Sequence, residues 1–306
     1  MAITQNYRLN LIQWYPGHIA KAERKLKEQL KRVDVVFEVR DARIPLATHH
    51  PQIGEWVEGK TRVLVLNRVD MITPQMRSLW IDWFKRQGEV PYFTNAQHGK
   101  GIAEVAQAAQ AAGVELNKRR SDRGMLPRPV RAVVIGFPNV GKSALINRLL
   151  GRRVVESAAR PGVTRQLRWV RISEHLELLD APGVIPLRLE DQDAALKLAI
   201  CDDIGEASYD NQLVAAALVD LLNYLSAVAA DLLPKKSLQS RYQLDSTSDT
   251  GDTYLHALAE HRYKGDIERA ARQLLTDFRK GLLGEISLEL PEDGGKSESP
   301  VSSEQG

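Results

Sequence analysis

The sequence predicts an α/β fold, a mostly parallel sheet with helices on both faces, followed by an all-helical region. Three observations carry this. Apolar strand patterns alternate with helical ones through the first 190 residues. One strand runs into Gly136-Phe-Pro-Asn-Val-Gly141-Lys142-Ser143 and from there directly into a helical pattern. After about Asp191 the texture changes to Ala- and Leu-rich helical patterns.

Taken in order, Ile19, Ala22, Leu26, Leu30 and Val33 recur at helical spacing and predict an amphipathic helix that carries basic residues. Val33-Asp-Val-Val-Phe-Glu-Val reads as a strand, and Arg62-Val-Leu-Val-Leu-Asn67 as a second, buried one. Pro74 to Gln87 is a helix with Pro74 at its first position behind Thr73. Val90-Pro-Tyr-Phe is a short strand, and alanine-rich Gly101 to Ala112 a helix. Lys118 to Pro129 is polar, basic and proline-bearing, which reads as a linker. Arg131 to Ile135 is the strand before the glycine-rich loop, with helical Ala144 to Leu150 after it. Leu167 to Ile172 and His175 to Leu179, split by Ser173-Glu174, predict a hairpin. Ala194 to Ile200, Gln212 to Leu225 and Tyr254 to Leu282 make up the helical part. The expected division is 1–190, 191–290, and a disordered tail over 291–306 that is rich in Ser, Glu, Gly and Pro.

Gly-x-x-x-x-Gly-Lys-Ser between a strand and a helix is a phosphate cradle. Phosphates need several N–H groups aimed at one spot, and glycines let the chain curl that tightly at a helix start. The expected contacts come from Asn139, Val140, Gly141, Lys142, Ser143 and Ala144, with the Lys142 ammonium on the β- and γ-phosphates and the Ser143 hydroxyl on Mg²⁺. Downstream, Leu176-Glu-Leu-Leu-Asp180-Ala-Pro-Gly183 is a strand ending in Asp-x-x-Gly. Asp180 can hold Mg²⁺ through water, and the Gly183 N–H can bond the γ-phosphate. Thr164, in Pro161-Gly162-Val163-Thr164, can close onto Mg²⁺ when the γ-phosphate is present.

The base reader precedes the phosphate loop. Asn67-Arg68-Val69-Asp70 ends a strand, and the Asp70 carboxylate can accept from guanine N1–H and N2–H₂ together, a donor pair adenine lacks. The next strand leads into Thr94-Asn95-Ala96, where a backbone N–H can bond guanine O6. GTP is therefore the expected nucleotide. The order of base reader, phosphate loop and switches is a circular permutation of the ordinary GTPase order.

With Trp14-Tyr-Pro-Gly-His18 near the start, Asp41-Ala-Arg43-Ile-Pro45, these nucleotide motifs and the helical C-terminal region, the chain resembles the circularly permuted GTPases of the YlqF/RbgA type, the ribosome biogenesis GTPase A family. The resemblance covers about residues 10 to 290 and implies a circularly permuted P-loop GTPase domain. It further implies a GTP-hydrolysing factor for late assembly of the large (50S) ribosomal subunit, with rRNA, ribosomal proteins and GTP or GDP as partners and Mg²⁺ as cofactor. Arg68 stands where the family usually has lysine over the base; a guanidinium also stacks on a purine. The glutamine that orients water after Asp-x-x-Gly in many GTPases is replaced by Val184, so intrinsic turnover should be slow. Two residues are candidates for the missing function. Asn139 resembles the asparagine with which related GTPases hold K⁺ beside the phosphates, its alternative role being a loop-stabilising turn residue. His18 matches a histidine proposed to act in hydrolysis, its alternative role being a helix-start residue packed near Trp14 and Tyr15.

Composition narrows the rest. The single cysteine, Cys201, excludes a disulfide framework and a multi-cysteine zinc site, and reads as a core residue on a helix. Seven histidines show no metal spacing, and His49-His50 read as loop residues. With no 18-residue apolar run and no signal-like start, a soluble, cytoplasmic protein without a membrane partner is expected. Up to residue 190 there are 31 Lys and Arg against 18 Asp and Glu, and beyond it 11 against 21. The basic half favours a polyanionic partner. Rival readings are a small-subunit assembly GTPase, disfavoured by the lack of room for an N-terminal OB domain or a zinc module, and a non-enzymatic RNA-binding scaffold, disfavoured by the joint presence of Lys142, Ser143, Thr164, Asp180 and Gly183.

Overall fold

Strand β1 (Val35–Asp41) is buried along its whole length, as a strand in the middle of a doubly covered parallel sheet must be. The computed structural model describes residues 26–151, 168–173, 176–180, 191–234, 237–246 and 250–291. β1 pairs in parallel with β2 (Thr61–Asn67) on one side and β4 (Val130–Ile135) on the other. β3 (Pro91–Thr94) lies parallel to β2, and β6 (Leu176–Asp180) parallel to β4. β5 (Arg168–Ser173) closes the edge antiparallel to β6, the hairpin the sequence predicts. Among the described residues the order is β3-β2-β1-β4-β6-β5. The chain builds outward from β1 to β3 and then returns to the other side of β1. Open α/β sheets bind ligands beyond the carboxyl ends of the strands at such a reversal, here between the ends of β1 and β4.

Strand register sorts the core into two faces. Leu26 and Leu30, from helical residues 26–30, join Ile53 and Trp56 of α1 (Ile53–Trp56) over Val36, Val133 and Ile135. Met76, Trp80 and Phe84 of α2 (Pro74–Arg86) cover Leu64 and Leu66 of the same face. α2 starts as expected, with the Thr73 side chain accepting from Met76 N–H at 3.2 Å and Pro74 at the first helical position. The opposite face, with Phe37, Val39, Val65 and Val134, packs on α3 (Ile102–Asp122) and α4 (Lys142–Leu149). The same apolar cluster continues without a break into α5 (Gln192–Cys201), α6 (Asn211–Val228), α7 (Ser237–Tyr242), α8 (Gly251–Tyr263) and α9 (Ile267–Arg279). Truncating a fully buried ring such as Trp80 of α2, on the first face, would cost about 3–5 kcal/mol.

Two expectations need correction. Lys118 to Asp122 are not linker but the end of α3; the Arg119–Glu115 pair on one face and Asn117, bonded to both the N–H and the carbonyl of Arg128, carry the helix through the basic run. The stretch from Tyr254 to Leu282 is two helices, because Lys264 (φ 54°) and Gly265 (φ 81°) turn left-handed and Asp266 caps α9 through Arg269 N–H at 3.0 Å. α7 was not foreseen. Ile19 and Ala22 of the opening helix, and the tail beyond residue 291, lie outside the described residues. α6 is long and apolar enough by length and composition to cross a membrane, with mean hydropathy 1.3. It packs on α8 and α9 as a core helix, and its Asp220 accepts from Gly251 N–H at 2.6 Å.

Candidate functional site

The phosphate loop begins where β4 ends. At Gly136 a Cβ would come within 2.2 Å of the Val39 carbonyl oxygen, so the loop crosses the end of β1 with no room for a side chain. Asn139 is left-handed (φ 57°), and Gly141 (φ 99°) leads into α4. The α4 start has the first-turn N–H groups that no helical carbonyl reaches, on Lys142, Ser143 and Ala144. Lys142 is buried and its Nζ donates to the Phe137 carbonyl at 2.7 Å, drawing the ammonium back across the loop.

On the base side, Asn67 at the end of β2 acts as a clasp. Its Nδ2 donates to the Val140 carbonyl at 2.8 Å, and its Oδ1 accepts from the Thr94 hydroxyl at 3.1 Å and from Ala96 N–H at 2.9 Å. Asn95 N–H donates to the Lys100 carbonyl at 3.0 Å. Arg148 of α4 adds a second tie, its Nε donating to the Ala96 carbonyl at 3.1 Å. Thr94, Asn95 and Ala96 are buried, and Asp70 is exposed in the tight turn Val69–Met71 directly after β2. The segments expected to read the base and the phosphate loop, far apart in the chain, therefore share one edge.

Arg68 is left-handed (φ 63°) and reaches two ways. Its Nη2 donates to the Asn139 carbonyl at 2.7 Å, and its Nη1 lies 3.4 Å from the Asp41 carboxylate. Asp41 is fully buried and holds Arg43, also fully buried, through Nε at 3.0 Å and Nη2 at 2.7 Å. Burial alone would raise the Asp41 carboxyl, but Arg43 and Arg68 outweigh it and hold it below the ordinary value. The Arg43 Nη2 also donates to the Cys201 carbonyl at 3.1 Å, at the end of α5. Beside it Asp203 is fully buried with neither carboxylate oxygen hydrogen-bonded, and burial reinforced by the Asp41 charge pushes its carboxyl well up. Sequence reasoning missed this junction with the helical region. Its one available signal was the pair of opposite charges in Asp41-Ala-Arg43 at the end of a strand.

Register sets Asp180 of β6 opposite Val134, two residues before the phosphate loop, so its position and Ser143 share the carboxyl edge of the sheet. Thr164, Gly183, Val184 and His18 lie outside the described residues. Asn139, the candidate K⁺ ligand, donates its Nδ2 to the Asp202 carbonyl at 2.7 Å. Cys201 is buried on a helix, as expected, while His50 is more than a loop residue, its ring packing tilted by 35° against Trp56 with centroids 4.2 Å apart. Part of the basic charge is paired within the chain. Arg128 pairs with Asp34 at 2.8 Å and Arg131 with Glu177 at 3.4 Å, whereas Lys31, Arg32, Lys118 and Arg123 are exposed. Lys21, Arg24, Lys25, Arg152, Arg153, Arg160 and Arg165 lie outside the described residues.

Residues 131–238 match the 50S ribosome-binding GTPase family. Over 297 residues the chain is 35% identical to ribosome biogenesis GTPase A of Bacillus cereus, covering 95% of this chain and 98% of that protein. It is 31% identical to ribosome biogenesis GTPase A of Thermotoga maritima, covering 96% and 98%, and 31% identical to mitochondrial ribosome-associated GTPase 1 of Mus musculus, covering 92% and 90%. Its fold is similar to the crystal structure of GNP-bound YlqF from T. maritima, with a TM-score of 0.61 and 24% identity over 89% of this chain and 99% of that one. With a strand order that brings the ends of β2, β3 and β4 to one edge of the sheet, and relatives above 30% identity over more than nine-tenths of both chains, the chain belongs to the ribosome biogenesis GTPase A family.

Proposed function

We propose that this chain binds rRNA and ribosomal proteins in precursors of the large ribosomal subunit and acts late in building that subunit, in the cytoplasm, docking in its GTP state and leaving after hydrolysis. As a member of its family it is a GTPase. The observation that carries the reading is the Asn67 clasp, which joins base-side strand ends to a phosphate loop in permuted order. The large subunit is favoured because the matching family is named for 50S binding. We assign residues 1–190 to the GTPase domain and 191–290 to a helical domain that responds to the switches.

In this reading Asp70 accepts both guanine donors, while Asn67, Arg68, Thr94, Asn95 and Ala96 form the base pocket. Lys142 and the N–H groups of residues 139–144 stabilise charge developing on the transferred phosphoryl group. Ser143, Thr164 and Asp180 are hydroxyl and carboxylate oxygen donors, the hard ligands that suit Mg²⁺ alongside substrate phosphates. When bound, Mg²⁺ neutralises charge between the β- and γ-phosphates. Gly183 N–H reports the γ-phosphate, and Thr164 orders its loop around it. Val184 cannot polarise water, so His18 is the candidate for orienting the attacking water, and Asn139 would hold a K⁺ whose charge would stabilise the phosphates.

The test is co-sedimentation with separated small and large subunits in GTP analogue and in GDP, together with turnover with and without subunits. Binding to the large subunit in the GTP analogue form, with faster hydrolysis on it, is expected. Equal binding in both nucleotide states, or turnover indifferent to subunits, would overturn the reading. His18→Ala should lower subunit-stimulated turnover by about a hundredfold with binding intact if His18 touches the reacting water.

A further inference from the structure

The helical region takes part in the hydrogen bonding of the phosphate loop itself. Asn139 is left-handed, a conformation asparagine tolerates better than most side chains. Its Nδ2 crosses to the Asp202 carbonyl at 2.7 Å. Asp202 closes α5 with φ 64°, so its carbonyl lies outside the helical ladder. The backbone of Asn139 is gripped independently, its own carbonyl accepting from Arg68 Nη2 at 2.7 Å. The end of α5 is anchored as well, through the Arg43 bond to the Cys201 carbonyl.

A primary amide has one donor end and one acceptor end, and a carbonyl can take only the donor. The Asp202 carbonyl therefore decides which end of Asn139 is left for other partners, namely Oδ1. We propose that Asp202 is a positioning residue for GTP hydrolysis, its backbone carbonyl holding the Asn139 amide so that Oδ1 is presented to a monovalent cation beside the phosphates. Docking of the helical region and cation-stimulated turnover are then one coupled event. The proposal rests on the reading of Asn139 as a K⁺ ligand. Asp203, next in the chain, is buried with both carboxylate oxygens lacking a hydrogen bond, as is the Nη1 of Arg43. Buried groups left unsatisfied in one arrangement mark a place where another arrangement can pair them.

Two substitutions separate the carbonyl from the side chain. Asp202→Gly removes the carboxylate and keeps the left-handed turn, whereas Asp202→Pro forces φ to about −65° and swings the carbonyl away. GTP turnover is measured in K⁺ and in Na⁺, and hydrogen exchange of the amides of residues 139–141 in nucleotide-free protein. Wild type and Asp202→Gly should share the same K⁺ preference and amide protection. Asp202→Pro should lose about tenfold of the K⁺-stimulated rate and lose that protection, with GDP affinity changed by less than about threefold. If thermal melting shows Asp202→Pro unfolded, Asp202→Val, strained at positive φ, takes its place. Equal K⁺ preference and equal protection in the glycine and proline variants would overturn the proposal. If wild type itself fails to distinguish K⁺ from Na⁺, the cation reading and the presentation of Oδ1 fall together; amide protection that still differs between the two variants then shows that the latch exists and only its cation role was wrong.

Discussion

Asn67 donates its Nδ2 to the Val140 carbonyl 2.8 Å away, joining the end of β2 to a phosphate loop 73 residues further along the chain. With Thr94 and Ala96 on its Oδ1, one buried amide satisfies groups from three segments. Permutation moves the base reader ahead of the phosphate loop in sequence, and this side chain restores their adjacency in space.

Removing the clasp should therefore affect fold and nucleotide binding together. Asn67→Ala strands the Val140 carbonyl and the Ala96 N–H, at a cost of about 1–3 kcal/mol for each buried group left unpaired. Asn67→Asp should do worse, because an acceptor would face the Val140 carbonyl. Urea unfolding and GDP titration check both; unchanged affinity in Asn67→Ala would remove Asn67 from the site.

Gly141→Ala should reproduce the same defect by a different route. Its Cβ would come within 2.1 Å of Asn67 Nδ2, at a φ of 99° that alanine rarely adopts. Since both changes break one contact, their effects in the double variant should fall short of the sum by roughly 0.5–3 kcal/mol. Full additivity in a double-mutant cycle would show that the two act separately.

Guanine specificity should rest on Asp70, which stands exposed immediately after the clasp. Asp70→Asn replaces two acceptors by an acceptor and a donor, and should weaken GDP binding by about 2–4 kcal/mol while admitting xanthosine nucleotides. Competition by GTP, ATP and XTP measures this directly. Equal ATP and GTP affinity in the unaltered protein would defeat the assignment.

Glu38 should make stability depend on acid. It is buried in β1 with Arg40 at 2.6 Å, His49 at 3.0 Å and Arg62 at 3.0 Å. Burial pushes its carboxyl up, but the hydrogen bond from His49 and the charge of Arg40 outweigh that and bring it down from 4.5 to about 2. A depressed folded value stabilises the protein above the unfolded pKa, and this contribution is lost as pH falls from about 4.5 towards 2. The contribution at neutral pH is on the order of 3 kcal/mol. Glu38→Gln should lose it at pH 7 and flatten the pH dependence of urea unfolding in that window. An acid limb identical to wild type would assign acid sensitivity to other carboxylates.

Local pattern determined much of this protein. The Gly-x-x-x-x-Gly-Lys-Ser run, the Thr73-Pro74 helix start and the β5–β6 hairpin were legible because each depends on backbone preferences and periodicity within a few residues. Where local signals competed, reading failed: the basic run 118–122 stayed helical through Asn117 and Glu115, and Lys264-Gly265-Asp266 broke a pattern that apolar spacing alone would have continued. Only the tertiary structure decided that Asn67 would spend its amide on Val140, Thr94 and Ala96, that Asp41 would hold both Arg43 and Arg68, and that Asn139 would reach the end of α5. Apart from Asp41 and Arg43, these partners are tens of residues apart, and a polar side chain acquires its role from whichever buried donor or acceptor the fold leaves beside it, since none can be left unpaired without cost.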